Sequence, residues 1–283
     1  MREDSLDRQA SIGVAIANYN KAPYLAQCLA SVLTQNHGAL EVVLVDDAST
    51  DESLDIAGTY AEQHPNLRVI ELDRNRGVAH ARNTAIESLD CDWVATLDSD
   101  DFLADPDKLR TELVAAQAQG EPRVAAYSGI ISVDRKGRRM RRFGRRPPVE
   151  QGWLFEALLS RTCLVPRDFL FPREMFEVVG HYDSALPVYE DWDWKLRFAR
   201  HAPFVFTGKA GVAYRETESG LSALLIDQNA ATLWKVFERH ASYAADPARA
   251  RLQLQRSIRP AWPARAWRAL LGTKLVTAAP APG

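Results

Sequence analysis

The stretch Cys91-Asp92-Trp93-Val94-Ala95-Thr96-Leu97-Asp98-Ser99-Asp100-Asp101-Phe102 decides how the chain is read. Its first half is a short apolar run, the signature of a buried strand. The run ends in Asp98, Asp100 and Asp101, three carboxylates within four positions. Anions that close repel one another unless a cation lies among them. A hard divalent ion, Mn²⁺ or Mg²⁺, held by one or two carboxylates together with a substrate phosphate meets that need. A solvated acidic turn meets it as well for an Asp-x-Asp taken alone, so the surrounding chain has to decide.

Upstream, Ser11 to Ala17 is a small-residue and β-branched run that stops at Asn18-Tyr19-Asn20. Pro23 then opens a helical pattern with Leu25, Leu29, Val32 and Leu33 on one face. Leu40 to Val45 predicts a second strand that breaks into Asp46-Asp47-Ala48-Ser49-Thr50-Asp51, and a helix follows around Ser53 to Gln63. Leu67 to Leu72 predicts a third strand, and a helix from Val78 to Leu89 leads back to the Trp93–Leu97 strand. Strand and helix alternating through short connections imply a mostly parallel, doubly wound α/β sheet. Ligands of such sheets sit beyond the carboxyl ends of the strands. Asn18-Tyr19-Asn20, Asp46-Asp47 and Asp98 to Asp101 all fall at such ends, which favours one site over three separate solvated turns.

Beyond Leu103 the alternation loosens. Lys108 to Gln119 reads as a helix, Val124 to Val133 as one long strand or a strand with a break, and Asp134-Arg135-Lys136-Gly137 as a hairpin turn. The basic run Arg138 to Pro148 is either a solvated edge or a surface for an anionic acceptor or acidic lipid. Trp153 to Leu159 and Arg173 to Val178 read as helices, with Leu164-Val165-Pro166 and Phe169 to Pro172 as short extended pieces. Tyr189 to Ala199 predicts an amphipathic helix with Glu190 and Asp191 in its first turn. Acidic residues there suit the helix dipole, and a carboxylate beside aromatic rings is also a candidate general base. Phe204 to Phe206 and Gly211 to Arg215 read as two further strands, Glu216 to Gly220 as a mobile loop, and Leu221 to His240 as a helix with Leu224, Leu225, Leu233, Trp234 and Phe237 apolar. The tail interleaves Arg249, Arg251, Arg256, Arg259, Arg265 and Arg268 with Trp262, Trp267, Leu270 and Leu271. That pattern fits peripheral contact with anionic membrane or a loosely packed appendage, and Ala278 to Gly283 is expected to be disordered.

Bulk properties narrow the class. The 283 residues are 46% hydrophobic and 25% charged with a net charge of −2, a balance that gives no reason to expect nucleic acid as a partner. Cys28, Cys91 and Cys163 are widely spaced with no CxxC, and read as reduced, buried thiols. Met1 to Gln9 lacks an apolar core for a signal peptide, and no window reaches the length of a membrane span, so a cytoplasmic protein is expected.

These motifs together resemble the family-2 inverting glycosyltransferases of the GT-A fold, over Ser11 to about Ser222. Ala17-Asn18-Tyr19 is similar to the family's first nucleotide-contacting segment, and Val45 to Asp51 to its V-D-D-x-S-x-D block, where Asp47 would accept the base N–H. Asn75 to Asn83 resembles its N-x-G…A-R-N segment, which implies Arg82 near the nucleotide. Leu97 to Asp101 resembles the metal-binding block, with Asp100 as ligand helped by Asp98 or Asp101; Asp98 also falls in the nucleotide site. Glu190-Asp191 resembles the family's E-D pair, with Asp191 as base and Glu190 or Trp192 shaping the acceptor pocket. The Trp192 and Trp194 rings are candidates to stack on a sugar, and core packing is the other reading of Trp194. The resemblance implies Mn²⁺ or Mg²⁺ as cofactor, a nucleotide-sugar donor (UDP-sugar favoured) and a glycan or glycolipid acceptor. It divides the chain into an N-terminal tail (1–10), a nucleotide-sugar-binding half (11–104), a smaller acceptor-binding half (105–222) and a C-terminal helix with basic tail (223–283).

One departure stands out. Family members often carry Tyr-Arg-x-His where this chain has Tyr214-Arg215-Glu216-Thr217, so no ligand is assigned from that loop, while Arg215 could reach a diphosphate on loop closure. The rival readings are a nucleotide-sugar-binding module whose catalysis has lapsed, and a nucleotidyltransferase. The first is suggested by Thr217 and opposed by Asp191; the second lacks a Gly-rich basic loop at Ala15 to Lys21. A dinucleotide-binding dehydrogenase lacks its G-x-G-x-x-G after the first strand.

Overall fold

A computed structural model describes residues 10–140, 149–216 and 226–258. The expectations for residues 1–9, 141–148, 217–225 and 259–283 lie outside these. They cover most of the basic run, the loop with Thr217, the helix residues Leu224 and Leu225, and the end of the tail.

The predicted alternation forms β1 (Ile12–Asn18), α1 (Ala22–Leu33), β2 (Leu40–Asp46), α2 (Ser53–Gln63), β3 (Leu67–Glu71), α3 (Val78–Glu87) and β4 (Trp93–Asp98). All seven residues of β1 are buried, as expected of a central parallel strand covered on both faces. Alternate residues feed opposite layers. Ala15 and Ala17 pack toward Ala81, Ala85 and Ile86 of α3, whereas Ile12, Val14 and Ile16 pack toward Leu25, Cys28 and Leu29 of α1.

The second half contributes β5 (Phe102–Leu103), α4 (Lys108–Gln117), β6 (Ala125–Val133), α5 (Phe155–Leu159), β7 (Leu170–Pro172), α6 (Glu174–Val179), α7 (Glu190–Phe198), β8 (Phe204–Arg215), α8 (Ile226–Ala241) and α9 (Pro247–Ile258). One eight-stranded sheet runs β3-β2-β1-β4-β7-β6-β8-β5. The first four strands are parallel, β7 is antiparallel to β4 and to β6, and β6 runs parallel to β8. The two strands expected at Phe204–Phe206 and Gly211–Arg215 are one. β8 continues through Thr207 to Ala210, and β6 is one long strand whose pairing with β8 shifts register at Gly129.

Register places the rim. Ala17 pairs with Val45 on one side and Asp98 on the other, and Asn18 pairs with Asp46, so three strands end level. Strand order reverses between β1 and β4, the point where a doubly wound sheet opens a crevice.

Packing settles the aromatic residues. Trp194 is 1% exposed, stacked on Tyr182 at 4.9 Å between ring centroids and packed against Phe171 and Phe198, so it belongs to the core. Trp192 is 6% exposed, with its indole N–H donated to Leu158 O at 2.9 Å. It does not stand open on the rim as a stacking platform. Part of the tail is also packed, since Ala250 and Leu254 of α9 are buried and Arg251 lies over the Trp234 ring at 4.6 Å. A loose appendage is therefore not what residues 247–258 form. No described helix is long and apolar enough to cross a membrane.

α7 is locked to α8 by Asp193, whose buried carboxylate accepts from Arg197 Nε (3.0 Å), Arg239 Nη1 (2.8 Å) and His240 Nε2 (3.0 Å). Burial pushes its pKa up, but the His240 bond and the two arginines prevail and hold it below the usual carboxylate range. A depressed carboxylate contributes stability above its unfolded pKa, about 3.9, that is lost as pH falls through the folded value. Asp193→Asn should cost about 1–3 kcal/mol in urea unfolding at pH 7, because it removes the charge that the partly exposed Arg197 and Arg239 bond to, and less near pH 3.

Candidate functional site

The rim gathers five segments that lie far apart in the sequence. At the end of β1, Asn18 is buried and donates Nδ2 to Asp46 Oδ2 at 2.6 Å. Asp46 also accepts from Ser49 N and Oγ at 2.7 Å each, so this aspartate fastens the turn after β2. Ala17 is buried beneath, and Tyr19 stands 44% exposed on the rim. Asp47 is buried, its two oxygens accepting from Arg76 N and Gly77 N at 2.7 Å each. Gly77 has φ +89°, a conformation that favours glycine, and this turns both amides toward the carboxylate at the start of α3. Each Asp47 oxygen keeps a second lone pair for a further donor.

Arg82 on α3 is 3% exposed and joins two halves of the molecule. Its Nη2 contacts Asp98 Oδ1 and its Nη1 contacts Glu190 Oε1, both at 2.6 Å. Asp98 Oδ2 meets Arg167 Nε at 2.7 Å, and the same guanidinium pairs with Asp101 and lies 4.3 Å from the centroid of the Tyr214 ring. Burial would raise the Asp98 pKa, but Arg167 and Arg82 bring it down to about 2. Asp101 behaves oppositely. Its burial outweighs Arg167, and Asp100, Asp168 and Asp98 push the same way, to about 8.

Asp98, Asp100 and Asp101 each offer an oxygen within 4.8 Å of the others. Carboxylate oxygens are the donors a hard divalent ion takes. Asp98 and Asp101 have both oxygens engaged by arginine groups, Arg215 N at 2.8 Å included, whereas Asp100 is paired only with Lys21 Nζ at 2.8 Å among the described residues. The cluster thus fits Mn²⁺ or Mg²⁺ with Asp100 foremost, its partner being a flexible and partly exposed lysine.

Glu190 and Asp191 open α7, preceded by Tyr189 at φ 65°. The four described non-glycine residues with positive φ are Asn20, Ala48, Arg161 and Tyr189, and three of them adjoin a rim motif. Strain concentrated in that way is typical of sites the fold holds in a set geometry. Burial raises the pKa of Glu190, and the neighbouring Asp191 charge adds to that against Arg82. For Asp191 burial is overcome by Lys195, Arg82 and Arg167, which keep it ionised. Asp191 makes no hydrogen bond or ion pair with another described side chain, so its oxygens remain available.

Three cations of this rim were missed in the sequence reading: Lys21, Arg161 and Arg167. Only the excess of carboxylates over cations near Asp98 signalled that they were needed. Arg215 differs from expectation in the opposite sense. It is buried, and its guanidinium is spent on Asp100 O (2.8 Å), Arg135 O (2.8 Å) and Gln27 Oε1 (2.7 Å), bracing the acidic turn instead of reaching outward.

Comparison with known proteins gives the family and the fold. The Glycosyl transferase family 2 model matches residues 13–180. The succinoglycan biosynthesis protein ExoO of Rhizobium meliloti is 35% identical over 204 residues, 68% of this chain and 56% of that protein, so this chain spans a little over half of it. A PGL/p-HBAD biosynthesis glycosyltransferase of Mycobacterium bovis is 29% identical over 76% of this chain and 80% of its own length. The crystal structure of S. aureus TarS 1-349 in complex with UDP superposes with a TM-score of 0.66 at 18% identity, covering 94% of this chain and 76% of that one. The fold is thus the GT-A arrangement of TarS, and the chain belongs to glycosyl transferase family 2.

Proposed function

We propose that the protein is an inverting glycosyltransferase that moves a sugar from a nucleoside-diphosphate donor, a UDP-sugar in the first instance, to a hydroxyl of a glycan or glycolipid acceptor. The observation that carries this reading is the pairing across Arg82 of the acidic corner with the helix that presents Asp191. The nucleotide lies at the ends of β1 and β2, with Ala17, Asn18 and Tyr19 lining it and Asp47 accepting the base N–H. Its diphosphate reaches the Asp98–Asp101 corner, where Lys21, Arg82 and Arg167 supply the cations. Mn²⁺ or Mg²⁺ bound through Asp100, with Asp98 or Asp101, would act as a Lewis acid on the leaving diphosphate.

Asp191 removes the proton from the acceptor hydroxyl as that oxygen attacks the anomeric carbon. The bond from that carbon to the diphosphate oxygen breaks, and the nucleoside diphosphate departs with the electron pair. Attack opposite the leaving group inverts the centre. Glu190, held by Arg82, sets the position of Asp191. Relatives named for succinoglycan and PGL/p-HBAD biosynthesis support a glycan or glycolipid as product; on this reading it is a cell-surface one, made on the cytoplasmic side.

Calorimetry with UDP-sugars and GDP-sugars, with and without Mn²⁺, tests the donor. A UDP-sugar should bind at least about tenfold tighter than its GDP counterpart when metal is present. Metal-dependent binding with no release of UDP in any acceptor screen would instead identify a binding module.

A further inference from the structure

Arg161 follows α5 in a left-handed conformation (φ 51°), and its half-buried guanidinium lies 5.6 Å from the centroids of both the Tyr189 and the Trp192 rings. The two rings meet edge to face, and the Trp192 ring is fixed by its bond to Leu158 O. The aromatic floor is therefore rigid. Among the described residues the Arg161 side chain has no hydrogen bond and no acidic partner, unlike Arg82, Arg167 and Arg215. The left-handed turn closes α5, with Arg161 N donating to Leu158 O at 3.1 Å and Thr162 N to Ala157 O at 2.9 Å, and it leaves over the rings a cation whose side-chain donors are unspent among the described residues. Ring contact alone is a weak return for a half-buried charge.

Its place makes this informative. Tyr189 and Trp192 bracket the Glu190-Asp191 pair, and Lys195, one turn further along α7, feels the charges of both Asp191 and Arg161. A second cationic element is tied to the same rim. The turn carrying exposed Lys136 and Arg139 is held by Arg215, which also binds Asp101.

We infer that Arg161, on its Tyr189–Trp192 floor, is a binding determinant for an anionic acceptor, a glycan carrying carboxylate or phosphate close to the hydroxyl that is glycosylated. A planar guanidinium with free donors pairs with such an anion through two parallel hydrogen bonds, which fixes orientation as well as charge. The inference rests on Asp191 being the base, because that defines where the acceptor lies.

The test is equilibrium binding to the full chain, saturated with UDP and Mn²⁺, of three probes matched in length: oligogalacturonate, oligo(glycerol phosphate) and neutral maltooligosaccharide. At least one anionic probe should bind about tenfold or more tighter than the neutral one. The anionic probe that wins distinguishes carboxylate from phosphate. Arg161→Gln should abolish the preference without changing UDP affinity, and Arg161→Lys should restore part of it. Equal binding of all three, no binding of either anionic probe at millimolar concentration, or an Arg161→Gln protein that keeps the preference each overturns the inference. The Asp191→Asn protein separates the two ideas. If it still transfers sugar at the wild-type rate the base assignment fails, whereas its probe preference reports on Arg161 alone.

Discussion

Replacement of Asp191 by Asn should reduce sugar transfer by about 10²- to 10⁴-fold, the range a positioned general base supplies. The affinity for UDP should change by less than about twofold, because an interaction made only in the transition state lowers kcat and leaves ground-state binding alone. The geometry supports that separation. Asp191 lies on α7, across Arg82 from the strand ends that would receive the nucleotide, and its oxygens bind no other described side chain. Asn preserves the volume and removes only the proton acceptor. Equal loss of transfer and of UDP binding would show that Asp191 supports the donor site instead.

The pH dependence follows from the same surroundings. A base works when deprotonated, and Lys195, Arg82 and Arg167 keep Asp191 below the ordinary range against the effect of burial. Its ionisation should therefore limit kcat only below about pH 4, the ordinary aspartate value, with no acid limb between pH 5 and 7 from this group. A limb near neutrality that persists in Glu190→Gln would contradict Asp191 as base.

Asp100→Ala should lower kcat/KM by at least about 10²-fold through loss of charge stabilisation at the leaving diphosphate, and should abolish the Mn²⁺ dependence of UDP binding. Asp100 is the choice because its neighbours are committed elsewhere. Asp98 is clasped by Arg82 and Arg167, and Asp101 by Arg167 and Arg215, whereas the Asp100 partner is Lys21 at 2.8 Å with 24% of its side chain exposed. An ammonium beside that carboxylate competes with any divalent ion for it. Lys21→Met should accordingly tighten Mn²⁺ binding in the absence of nucleotide, read by electron paramagnetic resonance of the free ion. Unchanged Mn²⁺ affinity in both Asp100→Ala and Lys21→Met would remove Asp100 from the metal site.

The four parallel strands and the motifs at their ends could be read directly because each depends on a few consecutive residues. A fully apolar run predicts a strand buried on both faces, and the register of Ala17 with Asp98 then follows from strands of similar length ending together. The second half was harder. Once strands pair antiparallel and a single β8 absorbs a register shift at Gly129, no sequence period marks the elements, and the sheet order could not be deduced.

By itself the sequence determined which carboxylates stand at the strand ends and which pair opens α7, since hydrophobic period and turn chemistry are local properties. The tertiary structure alone decided what faces them. Arg82 reaches Glu190 across 108 positions and Arg167 reaches Asp101 across 66, and such pairs depend on which strands become neighbours. It also decided that Trp192 and Trp194 are buried in the core, for an aromatic beside a carboxylate looks the same in a chain whether it faces solvent or the sheet. Electrostatic partners and burial are settled by distance in space, and sequence separation carries almost none of that information.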